Sequence, residues 1–165
     1  IDLRERTIEE LYQILRSQIE FMSVRKPGES KVRVFNPTDV KDGWHLPRTV
    51  IQISHDDIPF LVDSTRLAIN RHGHLIHFII HIGGLKVKRD AENRLIDIYP
   101  VLTSDKDASS SAPVYIEIDK IADEHALEEL RQDILHVLSD VAHSVQDWRK
   151  MVRRMEDSLK ELDNN

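Results

Sequence analysis

The sequence has no cysteine among its 165 residues. This absence excludes a disulfide framework and a thiolate metal site. It also favours a reducing compartment, so we expect a cytoplasmic protein. No apolar run approaches the roughly 20 residues that a membrane-spanning helix needs, and no signal-peptide pattern is present. A net charge of −6 and a pI near 5.8 argue against binding to nucleic acid or anionic lipid.

The usual catalytic signatures are missing as well. The sequence contains no G-x-G-x-x-G, P-loop, G-x-S-x-G or H-E-x-x-H pattern. Ser54 and His55 are neighbours on a predicted strand and point to opposite faces, so they do not form a catalytic pair. The segment therefore looks non-catalytic, and we expect no cofactor within it. Because the chain opens at Ile1 rather than Met, we expect it to be part of a longer protein.

The length suits one domain, which we divide into three parts: an N-terminal helix (1–28), a sheet domain (29–122) and a long C-terminal helix that completes it (123–165). Thr7 and Glu10 have the spacing of a capping box, which predicts a helix start. The predicted apolar stripe of this helix, packed on the body, consists of Ile8, Leu11, Leu15, Ile19 and Met22.

Apolar and alternating segments predict the strands. Residues 103–112 are polar and serine-rich, which is typical of a loop. Gly83 and Gly84 predict a bend within one long strand. The predicted strands are Lys31 to Phe35, Val50 to Ile53, Leu75 to Val87, Leu95 to Tyr99 and Val114 to Ile118.

A second helix is predicted after Pro59. Proline suits the first helical turn, Asp56 and Asp57 stand where carboxylates cap free N–H groups, and Gly73 ends the helix. Apolar residues cover more than half of this helix. We therefore expect its second side to contact another part of this chain or a second subunit.

Beyond Asp123, apolar residues at steps of three and four predict one helix running nearly to the end of the chain. Such a helix is about 60 Å long, more than a small sheet covers. Its highly charged half beyond Trp148 either packs against the N-terminal helix, pairs with another subunit, or bends back.

Four histidines, His72, His74, His77 and His81, form the one cluster that suggests a metal. Residues four apart on a strand are separated by roughly 13 Å, too far for His77 and His81 to share an ion. We expect no metal. A His-cluster metal-binding domain remains an alternative of a different functional class.

The residues around Pro59 are the candidate binding site. Asp56, Asp57 and Asp63 are interpreted as helix-capping groups rather than as acid–base catalysts, which need a water-poor cleft. Backbone N–H groups at a helix start also bind carboxylates and phosphates. The candidate ligand-binding residues are Asp56, Asp57, Ile58, Pro59, Phe60, Leu61 and Asp63.

Two resemblances to known families follow from these residues. The run from Asp57 to Asp63 resembles the D-x-P-G-L-L turn of ACT domains, with Phe60 where that pattern usually has Gly. From about Arg25 to Trp148 the chain resembles the N-terminal region of the large bacterial NAD-specific glutamate dehydrogenases. The segments that carry this second resemblance are VRVFNPTDVKDGW, TVIQISHDDIPFLVDS, NRHGHLIHFIIH, VKRD and VYIEIDK.

The resemblance implies an α+β fold: a ferredoxin-like, ACT-like antiparallel sheet with helices packed on one face, plus the N-terminal and long C-terminal helices. The usual fourth strand is missing after the last helix, so we expect Lys31 to Phe35 or Leu95 to Tyr99 to take its place.

The resemblance also implies a function, which is a non-catalytic regulatory or oligomerisation module. The longer enzyme would deaminate L-glutamate oxidatively to 2-oxoglutarate and would bind NAD outside this segment. Two versions remain open. In the sensor version, an amino-acid effector binds between the turn from Asp56 to Leu61 and a neighbouring subunit. In the scaffold version, the helix faces hold a homo-oligomer together or contact the remaining domains.

Overall fold

The computed structural model describes residues 6–99 and 105–163, without the side chains of 146–149, 159 and 161–163. The helices are α1 (Ile8–Met22), α2 (Asp39–Asp42), α3 (Leu61–Arg71) and α4 (Glu124–Asp163). The strands are β1 (Lys31–Phe35), β2 (Thr49–Ser54), β3 (Ile76–His81), β4 (Leu85–Arg89), β5 (Leu95–Tyr99), β6 (Ser109–Ser111) and β7 (Val114–Ile118).

The main sheet has four strands in the order β1-β2-β7-β3, and every neighbouring pair is antiparallel. The chain path β2-α3-β3-β7-α4 supplies the first five elements of a ferredoxin-like βαββαβ unit. The remaining strand position, beside β2, is taken by β1. The predicted ACT-like α+β fold is therefore confirmed, and Lys31–Phe35 is the segment that replaces the missing fourth strand.

A second, three-stranded sheet has the order β5-β4-β6. The prediction of one long strand from Leu75 to Val87 was wrong, because the chain turns at Gly83 and Gly84 and passes from one sheet into the other. Gly84 has a φ of 69°, which favours glycine. The predicted loop was also wrong in part, since Ser109–Ser111 forms β6 beside β4. Residues 103 and 104 lie outside the described part of the chain.

One face of the main sheet packs against α3 and the first half of α4. Ile51, Ile53, Ile116 and Ile118 of the sheet share a buried core with both helices. The helices contribute Leu61, Ala68, Ile69, Leu130, Ile134 and Leu138 to this core. The second side of α3 therefore contacts α4 of the same chain, the first of the two possibilities that the sequence left open.

The opposite face of the sheet is covered by α1, but with a different side of the helix from the one predicted. Ile14 and Met22 are buried, together with the polar residues Ser17 and Gln18. The Ser17 hydroxyl accepts a hydrogen bond from the Gln52 side chain at 3.0 Å. This face of β2 carries polar side chains, so the side of α1 that packs on it is partly polar as well. Of the predicted stripe, only Met22 is buried, and Ile8, Leu15 and Ile19 are exposed.

The helix ends agree with the sequence patterns at Thr7 and Gly73. Thr7 and Glu10 form the predicted capping box of α1. Gly73 has a φ of 78°. Its N–H donates to Asn70 O, and that of His74 donates to Ile69 O, so α3 ends in a Schellman motif.

Helix α4 is continuous over 40 residues, as the apolar spacing predicted. It does not bend back. No helix among the described residues is both long and apolar enough to cross a membrane.

Candidate functional site

The turn that joins β2 to α3 holds the candidate binding residues, and β6 fixes its path. Asp56 forms an isolated antiparallel bridge with Ser111. The carbonyl of His55 accepts hydrogen bonds from the Ala112 N–H at 2.9 Å and from the Ser111 hydroxyl at 3.2 Å. The turn is thus anchored by main-chain contacts from residues 110–112 and by the Ser111 hydroxyl.

Asp56 is bound to a cation and does not cap α3. Its Oδ1 lies 2.6 Å from Nη2 of Arg25, whose side chain is only 1% exposed, and its Oδ2 accepts the Gly28 N–H at 2.8 Å. The same guanidinium donates to the carbonyls of Lys26 and Glu29. The capping prediction for Asp56 was wrong, because this carboxylate holds the loop after α1 in place.

The helix itself begins two residues later than Pro59. Phe60 is the N-cap of α3, with a φ of 65°, and no side chain caps the helix. The capping prediction for Asp57 was therefore also wrong. A left-handed conformation costs an L-residue roughly 1–2 kcal/mol and suits glycine. Phe60, which stands where the D-x-P-G-L-L turn usually has Gly, thus adopts a conformation that suits glycine, and the residue is 67% exposed.

The other candidate residues lie on different sides of the turn. Leu61 is buried in the core, and Ile58 packs partly against it. Asp63 is exposed in the first turn of α3, where a carboxylate is favourable to the helix dipole. Asp57 lies beside Gly83, near the His81 ring. The seven residues therefore do not converge on one cavity.

A groove does lie in front of Phe60, and half of its lining comes from α4. Its volume is about 830 Å³. It is lined by Pro59, Phe60 and Ser64, and on α4 by Asp140, Val141, Ser144 and Val145. The sequence analysis missed the α4 residues as a site. Their only signal was the apolar spacing of that helix.

The chemistry of this groove favours an apolar partner. Its walls are mainly the Phe60 ring, Pro59 and two valines, and Asp140 is the one charged group among the lining residues. Phe60 and Ser64, which flank the first turn of α3, line the groove, and a helix start leaves its first N–H donors without intrahelical partners. The groove can accept apolar side chains, with one carboxylate and a few amides at its rim.

A buried carboxylate lies on the sheet, away from the groove. Glu117, on β7, is completely buried. Its carboxylate accepts hydrogen bonds from Arg6, from Arg48 at 3.0 Å and from the Tyr115 hydroxyl at 3.2 Å. Burial, and then the Glu117 charge, raises the pKa of Tyr115 well above its ordinary value. With three donors on one carboxylate, this cluster ties the chain before α1 to the sheet.

The four histidines that suggested a metal site do not lie together. His72 lies 3.2 Å from the Asp133 carboxylate, and His77 lies 2.7 Å from the Asp119 carboxylate. A bulge between Ile76 and Phe78 interrupts the alternation of β3. As a result Ile76 packs with the α3–α4 core, whereas Phe78 packs on the opposite face of the sheet with Ile14 of α1. In residues 6–99 and 105–163 no three His, Asp or Glu side chains form a group that could hold a metal ion.

Comparison with known proteins agrees with the fold. The family described as "Glutamate dehydrogenase, ACT1 domain" matches residues 1–134. The NAD-specific glutamate dehydrogenase of Halomonas elongata is 35% identical over 162 residues, which are 98% of this chain and 10% of that protein. The NAD-specific glutamate dehydrogenase of Pseudomonas aeruginosa is 34% identical over 158 residues, 96% of this chain and 10% of that protein.

This chain thus spans about a tenth of the length of these relatives. The match covers the sheet, α1, α3 and the first part of α4, and it includes the turn at Phe60. The chain therefore belongs to the glutamate dehydrogenase ACT1 domain family.

Proposed function

We propose that this chain is a non-catalytic assembly module of an NAD-specific glutamate dehydrogenase. The longer protein would oxidise L-glutamate to 2-oxoglutarate in the cytoplasm and would bind NAD in its other domains. The names of the two relatives support the activity, and the absence of catalytic signatures in this segment supports the non-catalytic role.

One observation carries the assembly role, which is the exposed apolar surface that starts at Phe60 and continues along α4. Phe60 keeps most of its ring in solvent, and Met151 and Met155 are more than half exposed. Aromatic residues and Met are enriched at protein interfaces relative to the rest of the surface. An exposed apolar surface of this kind is expected to contact protein in the assembled enzyme.

The test uses the full-length enzyme that contains this segment. Val145→Asp puts a charge into the apolar surface and should shift the enzyme to smaller species in light scattering. His143→Ser, on the exposed side of the same helix, is the matched control and should leave the mass unchanged. If both variants keep the mass of the wild-type enzyme, the assembly role is wrong.

A second candidate function, an amino-acid sensor, is favoured by the N-terminus of α3. Phe60, the N-cap of α3, and Asp140 line the same groove, and no side chain caps the first N–H groups of α3. These N–H groups and the Asp140 carboxylate are complementary to the carboxylate and the ammonium group of an amino acid. Calorimetric titration of the full-length enzyme with the common amino acids at millimolar concentration tests this. Heat of binding that Asp140→Asn abolishes would support the sensor, and flat titrations would refute it.

A further inference from the structure

The half of α4 that extends beyond the sheet has no partner within the described part of the chain. The helix packs on the core through Leu130, Ile134 and Leu138. From residue 138 to its end at Asp163 it runs about 37 Å further, at 1.5 Å per residue. It neither bends back nor lies on α1, which covers the opposite face of the sheet. Of the three arrangements that the sequence allowed, the two within this chain are therefore not formed among the described residues.

This part of α4 carries a regular heptad repeat. Leu138, Val145 and Val152 stand at position a, and Val141 and Met155 stand at position d. The sequence continues the same spacing with Trp at 148 and Leu at 159 and 162. The repeat begins at Leu138, which still packs on the sheet, and continues beyond the sheet through position 162. Apolar residues at successive a and d positions are typical of a coiled coil. We therefore expect a second helix of similar length to pack against these apolar residues.

We propose that two copies of this chain pair through the distal halves of α4 in an antiparallel coiled coil. This inference rests on the proposed assembly role and names its partner. In an antiparallel pair, an a residue of one helix packs beside a d residue of the other. When Val152 faces Met155 of the second copy, position 145 faces 162 and position 148 faces 159. Every apolar position from 145 to 162 then has an apolar partner.

The charges that flank the seam select the antiparallel direction. Glu156 stands at position e, next to the seam. In the antiparallel register Glu156 comes opposite position 149 of the second copy, which is an arginine in the sequence. Because the pair is symmetric, this pairing of opposite charges occurs twice. In a parallel pair the same carboxylate would flank Met151, which offers no charge. Position 158 across the antiparallel seam is a serine, so Met151 meets no charge there.

The antiparallel register also places the end of the second copy's helix near the exposed Phe60. The helix end of the second copy, near position 162, comes beside Val145. Val145 lines the groove in front of Phe60. The apolar groove thus lies at the end of the proposed seam and is continuous with it. A contact of this kind is isologous and closes as a dimer.

Cysteine cross-linking tests the register directly, because the natural chain has no cysteine. Val152→Cys protein and Met155→Cys protein are mixed in equal amounts in a glutathione redox buffer. We expect the mixed disulfide to form at least about fivefold faster than either homodimer. Asp157→Cys, on the outer side of the helix, is the control and should cross-link slowly with either. Fastest cross-linking of Val152→Cys with itself would mean a parallel pair and would overturn the inference.

Sedimentation velocity on the 165-residue chain tests the pairing itself. The wild-type chain should be a dimer of 19.2 kDa protomers. Val152→Asp should be a monomer with an unchanged circular dichroism spectrum, because Val152 lies outside the core. Leu15→Asp charges the exposed apolar side of α1 and should remain a dimer. A dimer broken by Leu15→Asp and kept by Val152→Asp would place the interface on α1 and refute the inference.

The two proposals fail in distinguishable ways. If the wild-type chain is monomeric at millimolar concentration while Val152→Asp still breaks up the full-length enzyme, another segment of that enzyme covers α4. The antiparallel pair is then wrong, and the assembly role stands. If Val152→Asp also leaves the full-length enzyme intact, both proposals fail.

Discussion

The guanidinium of Arg25 lies 2.6 Å from the Asp56 carboxylate and is almost completely shielded from water. This ion pair joins the loop after α1 to the turn before α3. A buried cation whose partner is removed keeps its desolvation cost without compensation. The pair therefore stabilises the candidate site by fixing the two segments relative to each other.

Asp56→Asn should lower the free energy of unfolding by about 2–4 kcal/mol, because it leaves the buried Arg25 charge without its counter-ion. Urea denaturation measures the change. Asp63→Asn is the matched control. It removes an exposed carboxylate from the first turn of α3 and should cost less than about 1 kcal/mol. Equal effects of the two substitutions would contradict a structural role for the ion pair.

Phe60 stands in a left-handed conformation that glycine adopts without steric cost. Phe60→Gly and Phe60→Ala both remove the exposed ring, but only glycine relieves the backbone. The Gly variant should therefore be more stable than the Ala variant by about 1 kcal/mol in thermal or urea unfolding. An Ala variant as stable as the Gly variant would show that the backbone at Phe60 is not strained.

Much of the fold could be predicted from local patterns. The alternation from Lys31 to Phe35 and from Val114 to Ile118 predicted two strands, and Thr7 and Gly73 predicted helix ends through their own hydrogen bonds. The break at Gly83 and Gly84 was harder. A glycine pair signals a change of direction, but the transfer to a second sheet depends on pairing with strands later in the chain.

The candidate site was predicted less well, and the reason is distance along the chain. Asp56 next to a helix start is typical of a cap, yet its partner Arg25 is 31 residues away and has no local signature. The far wall of the groove, at Val141 and Val145, comes from α4. Sequence patterns indicate which residues are close only when those residues are a few positions apart. A site formed between distant elements can be located only when the packing of those elements is known.

Two substitutions test which side of α1 packs on the sheet. Ile14 is buried and Leu15 is exposed, whereas the predicted apolar stripe contained Leu15 and not Ile14. Ile14→Ala should lower the free energy of unfolding by about 2–4 kcal/mol, because it leaves a cavity between α1 and the sheet. Leu15→Ala should cost less than about 1 kcal/mol. A larger loss at Leu15 would mean that α1 packs with the predicted stripe.

The contact between His77 and Asp119 predicts a pH dependence. The hydrogen bond from His77, followed by that from the Leu75 N–H, holds the pKa of Asp119 below its ordinary value. Because the folded-state pKa is the lower one, the stabilisation is complete above the ordinary aspartate range and is lost as the pH falls through the folded value. The stability difference between wild type and Asp119→Asn should therefore shrink below about pH 4.

The cause of that shift can be tested separately from its effect on stability. His77→Ala removes the largest contribution, so the pKa of Asp119, followed by carboxyl carbon NMR, should move up toward the ordinary range. The Leu75 N–H still donates to the other oxygen at 2.8 Å, so part of the lowering should persist. If Asp119 titrates at the same pH in both proteins, the imidazole does not stabilise the carboxylate.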